Sequence, residues 1–219
     1  MIVNAPGVVL SRRAFGEYDR LCTVFTEQFG KVPCRFVGVN RPKGKMKALT
    51  EPGVWGEYRL HLSARSEFAK AVGGRLISSF PGWRMDLGRT FDALACLEMV
   101  DRLTPDHQPG PEKYRLLCEV LAALDTAPSR WLVPSFGLRL ADMLGISLRE
   151  RAPAPARAVW AALHDTEPAA LAALPYDENA AESARRLLDE HLAAHAGRRL
   201  RAFEFRDAMT QTAPQGVPA

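Results

Sequence analysis

Cysteine pairs, long apolar runs and nucleotide-cradling glycine motifs are all missing from this 219-residue chain. Its four cysteines, Cys22, Cys34, Cys96 and Cys118, lie far apart with no C-x-x-C, so reduced, buried thiols are expected. No apolar stretch approaches the roughly 20 residues that cross a bilayer, and no membrane attachment is expected. The opening MIVNAPGVVL lacks a basic flank followed by a long apolar core, which predicts no secretory leader. G-x-x-x-x-G-K-[ST], G-x-S-x-G and H-E-x-x-H do not occur. His191 and His195 have the i, i+4 spacing that can chelate a metal, but no cysteine accompanies them and Asp189 falls elsewhere on the helix wheel. They read as ordinary helix-face histidines. Glu17 and Asp19 lack the third group that acid–base chemistry needs. No catalytic residue, metal or cofactor is expected.

Charge is present but unevenly spread. The formal net charge is only +4, yet residues 1–80 hold 13 Lys/Arg against 6 Asp/Glu, whereas residues 81–219 hold 16 against 19. Lys31 to Thr50 carries six cations and no acid. Lysine is scarce, six against 23 arginines, and four of the six fall between residues 31 and 47. A local field of that kind points to a polyanion, nucleic acid first among them.

Pattern divides the chain at the same place. Gly7–Phe15, Tyr18–Thr26, Val32–Val39, Val54–Leu62 and Lys70–Phe80 read as strands, with a Pro/Gly/Lys loop at 40–47. Five strands around a long basic loop suit a small barrel of the OB type. After Pro81-Gly82 the period becomes helical, with helices expected over Met85–Leu103, Glu112–Leu124, Ser129–Leu144, about 156–164 and Glu178–Ala196. Pro134 lies in the first turn of the third, and Arg149–Pro155 is a connector. The expected fold is therefore α+β: an OB-fold barrel over 1–80, an all-helical domain over 81–209, and a polar, Pro-rich tail over 210–219 expected to be disordered.

One constellation stands out. Arg12, Arg13, Arg20, Lys31, Arg35, Arg41, Lys43, Lys45 and Lys47 are interleaved with aromatics on the barrel strands and loops. Single strands are held this way, cations tracking phosphates and aromatic faces stacking bases. Phe25, Phe36 and Trp55 belong by their alternation to the barrel core, which leaves Phe15 and Tyr18, beside a turn, as the stacking residues.

The run GVVLSRRAFGEYDRLCTVFTEQFGKVPCRFVGVNRPKGK resembles the N-terminal part of the RecO family of bacterial DNA repair proteins. An apolar strand leads into a basic-aromatic stretch, an acid at Glu17, then Phe25-Thr26 with Gly30-Lys31, and a basic loop through Gly38, Arg41, Lys43 and Lys45. The resemblance continues through Phe136, Leu138, Leu140, Leu144 and Gly145, and ends at Leu200-Arg201-Ala202-Phe203, covering about residues 5 to 209. It implies a non-enzymatic recombination mediator that binds single- and double-stranded DNA and anneals complementary strands. It further implies work with RecR to place RecA on DNA coated by single-stranded-DNA-binding protein (SSB), in the bacterial cytoplasm at the nucleoid. The family's helical domain receives the acidic, Phe-ended tail of SSB; Arg130, Trp131, Phe136, Arg139 and Leu140 are the residues assigned to that groove. Many members carry a four-cysteine zinc element after the "LG" helix. Here that interval, ISLRERAPAPARAV, has no cysteine, so no zinc is expected. Two other classes remain open: an OB-type module acting on RNA, and a DNA-processing enzyme.

Overall fold

An unbroken apolar run such as Val8-Val9-Leu10 suits a strand covered on both faces, and β1 (Ile2–Phe15) is used in that way. The computed structural model describes residues 1–63, 65–152 and 157–212, the last three by backbone alone. β1 pairs antiparallel with β4 (Trp55–His61) through Ile2–Val8, and with β2 (Asp19–Thr26) through Gly7–Phe15. It begins five residues before the expected Gly7, because Ile2–Pro6 run alongside β4 rather than forming a lead-in. A register shift between Val9 and Ser11 bends the strand where it passes from one partner to the other. Gly7 stands at that crossing, where a Cβ would come within 2.7 Å of Val24. β3 (Gly30–Phe36) follows β2, and β5 (Ala69–Ser78) closes the ring, parallel to β3 over Cys34–Phe36 and antiparallel to β4. Among the described residues these strands form a closed barrel in the order β1-β2-β3-β5-β4, OB-like as expected.

Alternation then sorts the strand residues. Val9, Cys22, Val24, Cys34, Phe36 and Tyr58 fill the barrel. Val8, Leu10 and Phe25 point the other way, into the core of the helical part. That part comprises α1 (Pro81–Arg84), α2 (Leu87–Leu103), α3 (Pro111–Thr126), α4 (Leu132–Met143), α5 (Arg157–Asp165), α6 (Glu178–Ala196) and α7 (Arg201–Thr212). Asp86 caps α2 by accepting from the Arg89 amide, and Asp177 caps α6 by accepting from Ala180. Gly145 and Gly197 take positive φ just beyond α4 and α6. Pro134 is the third residue of α4, so the helix starts three residues later than expected. α2 packs against β1, α1, α3, α4, α6 and α7, which makes it the central element. The connector's first part forms a 3-10 turn at Arg149–Arg151, and residues 153–156 lie outside the described residues. Of the tail expected over 210–219, the first three residues belong to α7 and the rest lies outside the described residues.

The two parts meet along a specific seam. Lys31, buried on β3, donates from Nζ to the Asp101 carbonyl in the last turn of α2 and pairs with Asp106 at 3.2 Å. A cation at a helix C-terminus meets unsatisfied carbonyls and the negative end of the dipole. The His107 amide donates to the Lys31 carbonyl at 2.9 Å. Beside it, the Trp55 indole donates to the Tyr114 hydroxyl at 2.9 Å and stacks on Phe80.

Candidate nucleic-acid interface

The nucleic-acid side of OB-like barrels is formed by the β2–β3 face with the β1–β2 and β4–β5 loops. In this chain Asp19, the first residue of β2, organises that end. It accepts from Arg35 Nε at 2.8 Å and from the Gly38 amide at 2.7 Å. The Gly38 amide, then the Arg35 guanidinium, holds the Asp19 carboxyl below its ordinary range, so it stays charged. Arg35 in turn lies over the Phe15 ring, 5.0 Å from its centroid. One residue before Asp19, Tyr18 carries Arg41 over its ring at 5.3 Å. The Asn40 amide donates to the Tyr18 carbonyl and ties the basic loop to this end. Phe68, from the β4–β5 loop, meets Phe15 edge-on with centroids 6.0 Å apart. Nothing in the polar run SARSEF marked Phe68 in advance.

The remaining cations divide by their partners. Arg13, Lys43, Lys45 and Lys47 are exposed and have no ion pair among the described residues. Arg12 donates to Glu51 Oε1 at 2.8 Å, and Arg20 donates to the same oxygen at 2.8 Å and to Thr50 Oγ1 at 2.7 Å. Arg20 is thereby a strut holding the 3-10 turn Ala48–Thr50 at the end of the basic loop. Lys31 is the clear correction. It is buried at the seam, with its ammonium spent on α2, and is not available to a ligand.

The residues assigned to an SSB-tail groove do not form one. Trp131, Phe136 and Leu140 are fully buried, because α4 is apolar around nearly its whole circumference and sits inside the helical core. Arg139 is half-buried, and its Nη1 has no partner among the described residues. Only Arg130 is exposed, and it stacks on Tyr176 at 5.0 Å. There it lines a groove of about 770 Å³ with Val133, Pro134, Arg185 and Phe203. Sequence reading missed this groove because it joins residues from α4, α6 and α7.

No group of three or more metal-ligating side chains occurs among the described residues. His191 is buried, donates from Nε2 to the Ile146 carbonyl at 2.7 Å, and has its pKa lowered by burial. Burial pushes the Cys22 and Cys118 thiols up to about 12, so both remain protonated. No helix among the described residues is long and apolar enough to cross a membrane.

Comparison with known proteins bears on both parts. Residues 1–80 match the family model for the recombination protein O N terminal, and residues 84–154 match that for the recombination protein O C terminal. A DNA repair protein RecO of Myxococcus xanthus is 27% identical over 234 residues, covering 90% of this chain and 94% of that protein. One from Desulfitobacterium hafniense is 30% identical over 144 residues, and one from Bacillus subtilis 28% over 125. This chain spans about half the length of those last two, 52% and 48%.

Proposed function

The chain belongs to the recombination protein O family of DNA repair proteins, and from that membership we propose that it is a non-enzymatic recombination mediator. Its barrel binds the DNA backbone through Arg12, Arg13, Arg35, Arg41, Lys43, Lys45 and Lys47. The observation that carries this reading is the exposed cationic loop Lys43–Lys47, without an ion pair among the described residues, anchored beside the Asp19 cluster on one end of a closed barrel. Annealing then needs no active site. A cationic surface lowers the repulsion between two strands and raises their local concentration, while base pairing supplies specificity. In the cell this activity serves, with RecR, to place RecA on SSB-coated DNA in the bacterial cytoplasm.

Salt titration of single-strand binding is the test. About six neutralised phosphates give a slope of log K against log salt of roughly −4, so a fourfold rise in salt costs on the order of 300-fold in affinity. A slope near zero removes the reading. Matched RNA and DNA strands separate it from an RNA-binding role, and incubation of labelled DNA with divalent metal exposes any cleavage. A strand-annealing assay with and without SSB tests the mediator role itself.

The groove at Arg130 favours a second contact. The groove's lining sets Arg130, Arg185 and Arg206 against Asp92, Glu178, Glu182 and Asp207, and Arg130, exposed and without an ion pair among the described residues, is the cation open to an acidic peptide ending in an aromatic residue; the SSB tail has that chemistry. Arg130→Ala is expected to weaken binding of a labelled acidic tail peptide at least fivefold; unchanged affinity removes the assignment.

A further inference from the structure

Neutralising phosphates needs charge alone, yet two of the seven cations are held in a way that displays something else. Arg35 and Arg41 each carry their guanidinium carbon over an aromatic ring, 5.0 Å from the Phe15 centroid and 5.3 Å from the Tyr18 centroid. The Arg35 guanidinium is tied down on its edge. Arg35 is fixed by two contacts to Asp19 Oδ2, at 2.8 and 2.7 Å, and its side chain still keeps 47% of its surface open. Arg41 is exposed, and its backbone is set by the turn that donates its amide to the Gly38 carbonyl at 3.2 Å. A guanidinium seated over a ring and still reached by solvent leaves room for a second planar partner. Its open face is flat, cationic and weakly hydrated, which suits a nucleobase better than a phosphate. Phe68 supports the first stack by holding Phe15 edge-on, and the Ser66 hydroxyl, which accepts from the Phe68 amide and donates to its carbonyl, fixes that loop residue.

We propose that this end of the barrel is a base-binding subsite, in which two unpaired nucleobases stack on the open faces of Arg35 and Arg41. The proposal rests on the DNA-binding reading above and gives it a preference. A duplex keeps its bases stacked on one another and offers this site only backbone. A single strand can turn two bases onto the arginines, leaving neighbouring bases free to pair. Phe15, Tyr18 and Phe68 act as positioning residues behind the two arginines, and Asp19 fixes the first.

The test separates planes from charges. Affinity is measured for a labelled 20-nucleotide strand and for a strand of the same length built of abasic units, both by anisotropy across a salt series. Wild type is expected to favour the intact strand by at least tenfold, about the value of one stacked base. The double variant R35K/R41K keeps both charges and loses both planes, so its preference is expected to fall to within twofold of one while the salt slope stays near the wild-type value. Arg41→Lys alone, which leaves the Asp19 pair untouched, is expected to lose part of the preference and guards against a folding defect in the double variant. Two results overturn the subsite: a wild-type preference within twofold of one, or a double variant that keeps the wild-type preference. Either of them, with a slope still near −4, leaves backbone binding standing, whereas a flat slope in the wild type removes the DNA-binding reading itself.

Discussion

Two glycines of this chain take nearly the same backbone conformation for different reasons, and the difference can be measured. Gly16 has φ +68 with nothing within 4 Å of a Cβ built on it; Gly30 has φ +63 with the Gln108 carbonyl oxygen only 2.1 Å from that position. Gly16→Ala should cost about 1–2 kcal/mol, the left-handed conformation alone. Gly30→Ala should cost clearly more, because the 104–110 segment pressed against β3 must move; equal shifts in urea midpoint would contradict the close approach. The adjoining Lys31 shows why residue type misleads at this position. By composition it belonged with the lysines expected to meet DNA, but its ammonium serves the Asp101 carbonyl and Asp106. Lys31→Met is expected to destabilise the protein by about 1.5–3 kcal/mol, the value of hydrogen bonds to a charged group. It should leave the salt slope of DNA binding unchanged. Glu51→Gln should act in the opposite sense: with the acceptor shared by Arg12 and Arg20 neutralised, DNA affinity rises and the slope steepens by about 0.7 per cation released.

Elements were legible in the sequence where local chemistry closes them. α6 occupies Glu178–Ala196, the expected span, because Asp177 caps one end and Gly197 ends the other. The strands were legible from alternation, and Phe36 fills the barrel as its pattern required, but Phe25 and Trp55, expected in the barrel core too, face the helical part instead. What could not be read depends on partners distant in sequence. α7 buries only Ala202 and Phe203 within its described side chains and leaves Phe205 and Met209 exposed, so it carries little apolar periodicity. It is held instead by polar ties: the Ala202 amide to Glu98, Arg206 to Asp92, and Asp207 to both Arg185 and Arg199. The Arg130 groove and the role of Phe68 were hidden for the same reason, being assembled from separate elements. These ties make the attachment of α7 sensitive to acid. Burial pushes the Asp207 carboxyl up, but the Arg199 hydrogen bond and the charges of Arg185 and Arg199 outweigh it and hold the group below its ordinary range. A carboxyl lowered in the folded state contributes stability that is complete above its unfolded pKa, near 4, and is lost as pH falls through the folded value. Burial raises Asp92, so its tie to Arg206 is weakened earlier in the same descent. Hydrogen exchange should show α7 amides losing protection below pH 4 before those of α2, and Asp207→Asn should loosen α7 already at neutral pH. Simultaneous loss in both helices would contradict this order.

Over the whole molecule, the charge division at residue 80 suggests two bodies, whereas the packing makes one. Val8, Leu10 and Phe25 leave the barrel strands to join the helical core, and Trp55 packs against it while donating to Tyr114. Burying such side chains is worth roughly 1.5–3 kcal/mol each, so each part is expected to lose stability without the other. The two proposed surfaces lie on different parts of this single body: the Asp19 cluster on the barrel, the Arg130 groove among α4, α6 and α7. A shared core ties the unfolding of the two together. Urea unfolding should therefore give one transition, with far-ultraviolet ellipticity, dominated by the helices, and tryptophan emission, which includes Trp55 at the seam, sharing a midpoint. Residues 1–80 expressed alone should expose Val8, Leu10, Phe25 and Trp55 together and aggregate or unfold at much lower urea. Two separate midpoints in the intact chain, or a stable isolated barrel, would mean that the seam at Lys31 joins independent domains; a single midpoint that Lys31→Met lowers for both probes equally would mean that it is part of one fold.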